Sequence, residues 1–213
     1  MPTLEIPCRP LSVFASSNSA DGSLGGWTNP AYAYNDDGVQ FATRAGSVKN
    51  TWYGTLFGFD LSSIPDGSTI NSVTLTAEWK NSANDSSGPV LLLGAKSGGA
   101  EVGSTSDTTG QTTFEVVTYQ PTGLTAAQLK ATGANGFWAI LRFRRTDNTA
   151  HTASCDYVKC VVEYTEPATQ LAINNASHTH AADNIVLTYH APPPVALVIQ
   201  STCDIGAFEY IND

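Results

Sequence analysis

"INSVTLTAEWK", residues 70–80, alternates without a break. Successive side chains of an extended chain point to opposite faces, so Val73, Leu75, Ala77 and Trp79 share one face and Thr74, Thr76, Glu78 and Lys80 the other. An apolar face opposite a polar one is the pattern of a half-buried strand, which needs a second apolar layer to cover it. The same period of two runs through "VQFAT" (39–43), "WYGTLFGFD" (52–60), "PVLLLGAK" (89–96), "TFEVVTYQ" (113–120), "GFWAILRFRR" (136–145) and "CDYVKCVVEYT" (155–165). Between these runs stand "NDDG", "IPDG", "NSANDSSG", "SGGAEVGSTSDTTG" and "RTDNTAHTAS", which read as turns and loops. Only "LTAAQLKAT" reads as helix, with Thr125 and Gln128 spaced as a capping box. Many short strands without a strand–helix rhythm predict an all-β fold, an antiparallel jelly-roll-like β-sandwich.

A chain of 213 residues suits one domain of ordinary size and a smaller piece. The expected division is an N-terminal arm at 1–10, the sandwich at 11–166 and a C-terminal β tail at 167–213, entered at Pro167. Charged residues are only 14% of the chain, so hydroxyls and amides solvate the surface. The net charge of -9 argues against nucleic acid, whose phosphates demand a basic face. The basic cluster Arg142, Arg144 and Arg145 reads as part of a strand edge rather than a phosphate track. No apolar run approaches the ~20 residues of a membrane span, so no membrane insertion is expected. "MPTLEIPCRPLSVF" has no apolar core of a signal peptide, which predicts synthesis in a cytoplasm and release by another route, such as lysis.

Four cysteines, Cys8, Cys155, Cys160 and Cys203, lack C-x-x-C spacing, which disfavours zinc. They are disulfide candidates if oxidised. Against that, alternation puts Cys160 beside Val158, Val162 and Tyr164 as a small core residue, and a reducing compartment keeps thiols free.

The tail holds "TQLAI", "NIVLTYH", "ALVIQ" and "AFEYI". So short a segment cannot enclose a core by itself. Yet Leu171, Ile173, Ile185, Leu187, Leu197, Ile199 and Phe208 need cover. Other copies of the chain are the expected cover, so these residues are the predicted oligomerisation surface.

Two stretches carry a resemblance. "FDLSSIPDGSTINSVTLTAEW" (59–79), with "GGWTNPAYAYNDDG" (25–38) and the strand "DYVKCVVEYT", resembles carbohydrate-binding-module-like β-sandwiches of bacterial surface proteins and phage structural proteins. "ASHTHAADNIVLT" resembles a short unit at the C-termini of phage virion proteins, where a His-x-His precedes an Asp-Asn turn and an apolar strand. The resemblance implies a non-enzymatic protein made in the host cytoplasm and placed on the virion exterior. Capsid decoration, collar or neck attachment and tail appendage are the roles it suggests. The implied partners are copies of itself, with a trimer favoured, other virion proteins and a host surface glycan. The alternative it carries is the carbohydrate-binding module of a receptor-binding appendage.

His178 and His180 point the same way in an extended segment, ~7 Å apart. Three copies would offer six imidazole nitrogens to a first-row transition metal, as the phage-fibre resemblance implies. The rival reading is a turn whose imidazoles bond backbone carbonyls. Asp36 and Asp37 in "YNDDG" offer hard oxygens to calcium, or else a β-turn. Trp27, Tyr32, Tyr34 and Trp52, with Tyr53 beside them, lie in the first loops and are the candidate glycan contacts. Asp60, Asp66, Glu78 and Glu115 have no sequence signal of a paired acid and base, and His151 in "NTAHTAS" is expected in a loop without a partner. A catalytic set is therefore not predicted. An enzymatic depolymerase fragment is the weaker rival.

Overall fold

The computed structural model describes residues 2–7, 26–46, 48–84 and 88–167. Residues Met1–Thr165 cluster as one compact unit and Glu166–Asp213 as another. The predicted oligomerisation residues Leu171, Ile173, Ile185, Leu187, Leu197, Ile199 and Phe208 lie outside the described residues.

The described residues of the first unit hold nine strands: β1 (Thr3–Pro7), β2 (Ala42–Gly46), β3 (Tyr53–Gly58), β4 (Thr69–Asn81), β5 (Pro89–Ser97), β6 (Ala100–Asp107), β7 (Glu115–Tyr119), β8 (Trp138–Arg145) and β9 (His151–Thr165). All pair antiparallel. The first sheet runs β1-β9-β4-β7, with β2 also on β9, and the second runs β3-β8-β5-β6. The pairs nest: β2 lies on β9 and β4 on β7 in one sheet, β3 on β8 and β5 on β6 in the other. A double-stranded ribbon rolled over itself gives this nesting, and the result is a jelly roll.

Alternation drives the packing. Val73, Leu75, Ala77 and Trp79 of β4 are buried, as the sequence pattern requires, and meet Leu91, Leu93, Leu141 and Phe143 in one core cluster. The Trp79 and Phe143 rings sit 6.4 Å apart and tilted, an edge-to-face-like arrangement. Ile64 and Phe59, flanking the Pro65–Gly67 turn, are also buried. Gly67 has φ 78°, a conformation glycine adopts without strain. The α-helix among the described residues, α1 (Ala126–Lys130), starts at Thr125 with both halves of the capping box formed.

Several expectations need correction. Residues 3–7, expected in an arm, form an edge strand along β9. The stretch 97–110, expected as a loop, contains β6, whose Gly, Ser and Thr give no apolar period. β2 starts at Ala42 and not at Val39, because residues 37–40 close a turn. His151 is not in a loop: it opens β9 and is buried.

Candidate metal centre and surface aromatics

Asp36, Glu78 and Asp156 each place a carboxylate oxygen within 4.8 Å of the others. Three different devices bring them together. Glu78 lies on the outward face of β4. Asp156 is the extra residue of a β-bulge, since Glu78 pairs with Tyr157 while Trp79 pairs with Cys155. Asp36 comes from the loop after a 3-10 turn, Pro30–Tyr34, that packs near β9. The backbone N–H of Gly38 donates to both Asp156 oxygens, at 3.0 and 3.3 Å, and so ties this loop to the bulge. Gly38 has φ 65°, which suits glycine at the corner.

Asp156 is 1% exposed. Burial raises its carboxyl pKa, the Gly38 N–H opposes this, and the charges of Asp36 and Asp37 raise it further; the net shift is upward. Glu78 is also raised, by burial first and then by Asp36 and Asp156. Carboxylates that push each other toward protonation form a group that a cation would stabilise. The donors are hard oxygens, without sulfur or imidazole, which fits calcium and not zinc. Asp37, the other calcium candidate, serves the turn. Its Oδ1 accepts from Val39 N at 2.8 Å and Gln40 N at 2.9 Å, and these bonds lower its pKa.

Sequence reading missed Asp156, although a signal exists. In "HTASCDYVKC" the buried positions are His151, Ala153 and Cys155, then Asp156 directly after it, then Val158 and Cys160. The phase slips at Asp156–Tyr157, as a bulge demands.

The remaining acids have local work. Asp60 accepts from Ser62 N and Oγ, Asp66 pairs with Lys130, and Glu115 accepts from the Thr109 hydroxyl. His151 does have partners. Asn81 Nδ2 lies 3.1 Å from its Nδ1 and Asp147 Oδ2 3.3 Å from its Nε2. A donating amide makes Nδ1 the acceptor and directs the ring proton at Asp147. Together they join the end of β4 to the turn before β9.

The aromatic candidates separate. Trp27 is 4% exposed, part of the core and not a glycan contact, because the Thr28–Thr43 bridge turns it inward. Tyr34 is half-buried and packs against the core. Tyr53 is buried, with Arg44 3.9 Å above its ring. Tyr32 is 38% exposed, and Trp52 is half-buried with the Arg144 guanidinium carbon 4.4 Å from its ring centre.

Cys155 and Cys160 are buried on one strand and form no disulfide among the described residues, which corrects their place among the disulfide candidates; Cys155 Sγ donates to Tyr157 O at 3.4 Å. They are five residues apart and each points into the core opposite its own cross-strand neighbour. Cys8 and Cys203, and the metal candidates His178 and His180, lie outside the described residues.

No protein-family model matches the chain, and no curated protein does. Among solved structures it is similar to a CBM4 module, with TM-score 0.38 and 21% identity over 58% of this chain and 84% of that one. It is also similar to an arabinose-bound GH51 α-L-arabinofuranosidase, with TM-score 0.32 and 11% identity over 58% of this chain and 22% of the enzyme.

Proposed function

We propose that the chain is a non-catalytic, adhesive module of a bacteriophage particle, carried on the exterior as a decoration, a collar or neck attachment, or a tail appendage. The observation behind the adhesive part is the use of its chemically active side chains. Trp27 and Tyr53 are spent on packing, and Asp37, Asp60, Asp66 and Glu115 on turns and local pairs. On the outward face of β4, too, the Thr74 hydroxyl accepts from Gln120 Nε2 and Glu78 belongs to the carboxylate cluster, so no side chain there is set up as an acid–base pair. The particle part rests on the sequence resemblance of residues 59–79 and 176–188. Asp36, Glu78 and Asp156 would hold one calcium ion that ties the 35–40 loop to the bulge. Residues 167–213 would join copies, with His178 and His180 of three chains around one transition metal.

Imaging of native particles labelled with an antibody to this chain tests the placement. Label on the outer surface is expected; particles that contain the chain but bind no label would overturn it. Metal analysis of untagged protein tests the histidine site, and under about one-tenth ion per trimer would remove it.

Tyr32 and the half-buried Trp52 favour a second reading, a carbohydrate-binding module of a receptor-binding appendage. Glycan-array signals lost in Trp52→Ala support it. A blank array disposes of it.

A further inference from the structure

Among the described residues, Arg144 is the arginine for which no hydrogen bond is formed. Arg44 Nη1 donates to Gly26 O, Arg142 pairs with Glu101 at 3.0 Å, and Arg145 Nη1 donates to the carbonyls of Asp147 and Thr149. Arg144 makes none of these bonds among the described residues; its contact is the Trp52 ring. The register explains the geometry. Tyr53 pairs with Phe143 and Val90 with Arg144, so on the outward face of the second sheet Arg144 stands between Trp52 and Val90. Its stem is held between two apolar side chains, and its Nε is buried without a hydrogen-bond partner. The guanidinium is thus fixed in place, partly desolvated and without an anion.

The surroundings suit a negative ligand of small charge. By the same register Arg142 and Arg144 are outward neighbours two residues apart on β8, and Glu101, already taken by Arg142, is the carboxylate beside them. In a chain of net charge -9, Arg144 is thus a cation that Glu101, bound to Arg142, does not neutralise. One available planar fork matches one carboxylate, since guanidinium donors pair with both carboxylate oxygens. A polyphosphate would need a basic track, and the overall charge repels one. The aromatic neighbour offers an apolar wall to the C–H face of a ring attached to that carboxylate.

We propose that Arg144 and Trp52 form a subsite for an acidic sugar, the guanidinium receiving the carboxylate and the indole flanking the ring. The proposal rests on the second reading above, in which the module binds glycan.

The test is calorimetric titration of the full chain with oligogalacturonate, a glucuronate oligomer and sialyllactose, each beside its carboxyl-reduced neutral counterpart. Binding of at least one acidic probe is expected, at least ten-fold tighter than its neutral counterpart. Arg144→Gln should weaken it ten-fold or more and Arg144→Lys by less, and 0.5 M salt should weaken the wild type but hardly affect Arg144→Gln. Trp52→Phe, which keeps a ring, should retain binding, and matching thermal unfolding of the variants would show that their folds survive. Equal binding of acidic and neutral probes, affinity unchanged by Arg144→Gln, or no binding of any acidic probe would each overturn the subsite. If neutral glycans bind and acidic ones gain nothing, the subsite falls and the glycan-binding reading stands. If nothing binds at all, both fall.

Discussion

At the scale of the residue, the environment sets the chemistry of each side chain, and two of these environments make measurable predictions. Burial pushes the Cys160 thiol up to about 12, so at pH 8 it carries almost no thiolate, the form that reacts. In a chain carrying Cys8→Ser and Cys203→Ser, an aromatic disulfide reagent at pH 8 should find no fast-reacting thiol. In denaturant it should find both Cys155 and Cys160. A native-state thiol reacting within minutes would refute the core placement. Asp107 gives the second prediction. Burial raises its carboxyl, but bonds from Thr109 N at 2.9 Å and Trp79 Nε1 at 2.9 Å, with the Thr109 hydroxyl at 2.8 Å, outweigh it and the net shift is downward. A depressed folded pKa adds stability above the unfolded value of about 3.9, and that stability is lost as pH falls through the folded value. The difference in urea midpoint between wild type and Asp107→Asn should therefore be larger at pH 6 than at pH 2.5. A difference independent of pH would show that the ionised carboxylate contributes nothing. The Trp79 bond to Asp107 was not legible in the sequence, because it joins residues 28 apart in the chain. Cys160 was legible, because one strand's alternation suffices to place it.

At the scale of the element, legibility followed local signals. β4, β5, β8 and the end of β9 show in the alternation because one or both faces are buried. β6 was invisible because it is an edge strand with an exposed surface, where apolar residues have no reason to alternate. The bulge that delivers Asp156 shows as a phase slip, but the slip does not say which carboxylates will meet it. α1 was fully legible, since a capping box spans only four residues. It also makes a prediction. The Thr125 hydroxyl accepts from Gln128 N at 3.2 Å, and Gln128 Oε1 accepts from Thr125 N at 2.9 Å. Thr125→Ala removes one half of this exchange and should lower unfolding free energy by about 1 kcal/mol. Thr125→Ser should cost less, since it keeps the oxygen. Chemical denaturation with equal losses for the two variants would mean the cap is not the cause.

At the scale of the whole molecule, the jelly-roll class was legible from the strand rhythm, whereas the strand order was not, because no local pattern tells β4 that it lies between β9 and β7. Long-range pairing decides that order, and the loops joining β5 to β6 or β8 to β9 fit several. The association of chains is likewise a matter of total area. The sandwich closes its own core at Val73, Leu91, Leu141 and Val162, so it needs no partner for that purpose. The residues after 167 repeat the apolar alternation with too little chain to bury it, and that imbalance is what the proposed assembly answers. Light scattering on the full chain should then give about three times the chain mass of 22.5 kDa. Leu187→Asp places a charge on the apolar face of "NIVLTYH" and should drive the mass to that of one chain, with the far-ultraviolet spectrum of the sandwich preserved, because burying an unpaired carboxylate between copies costs several kcal/mol. A wild-type chain that stays single at high concentration would leave Ile185 and Leu187 to be covered some other way, and the trimer metal site at His178 and His180 would fall with it.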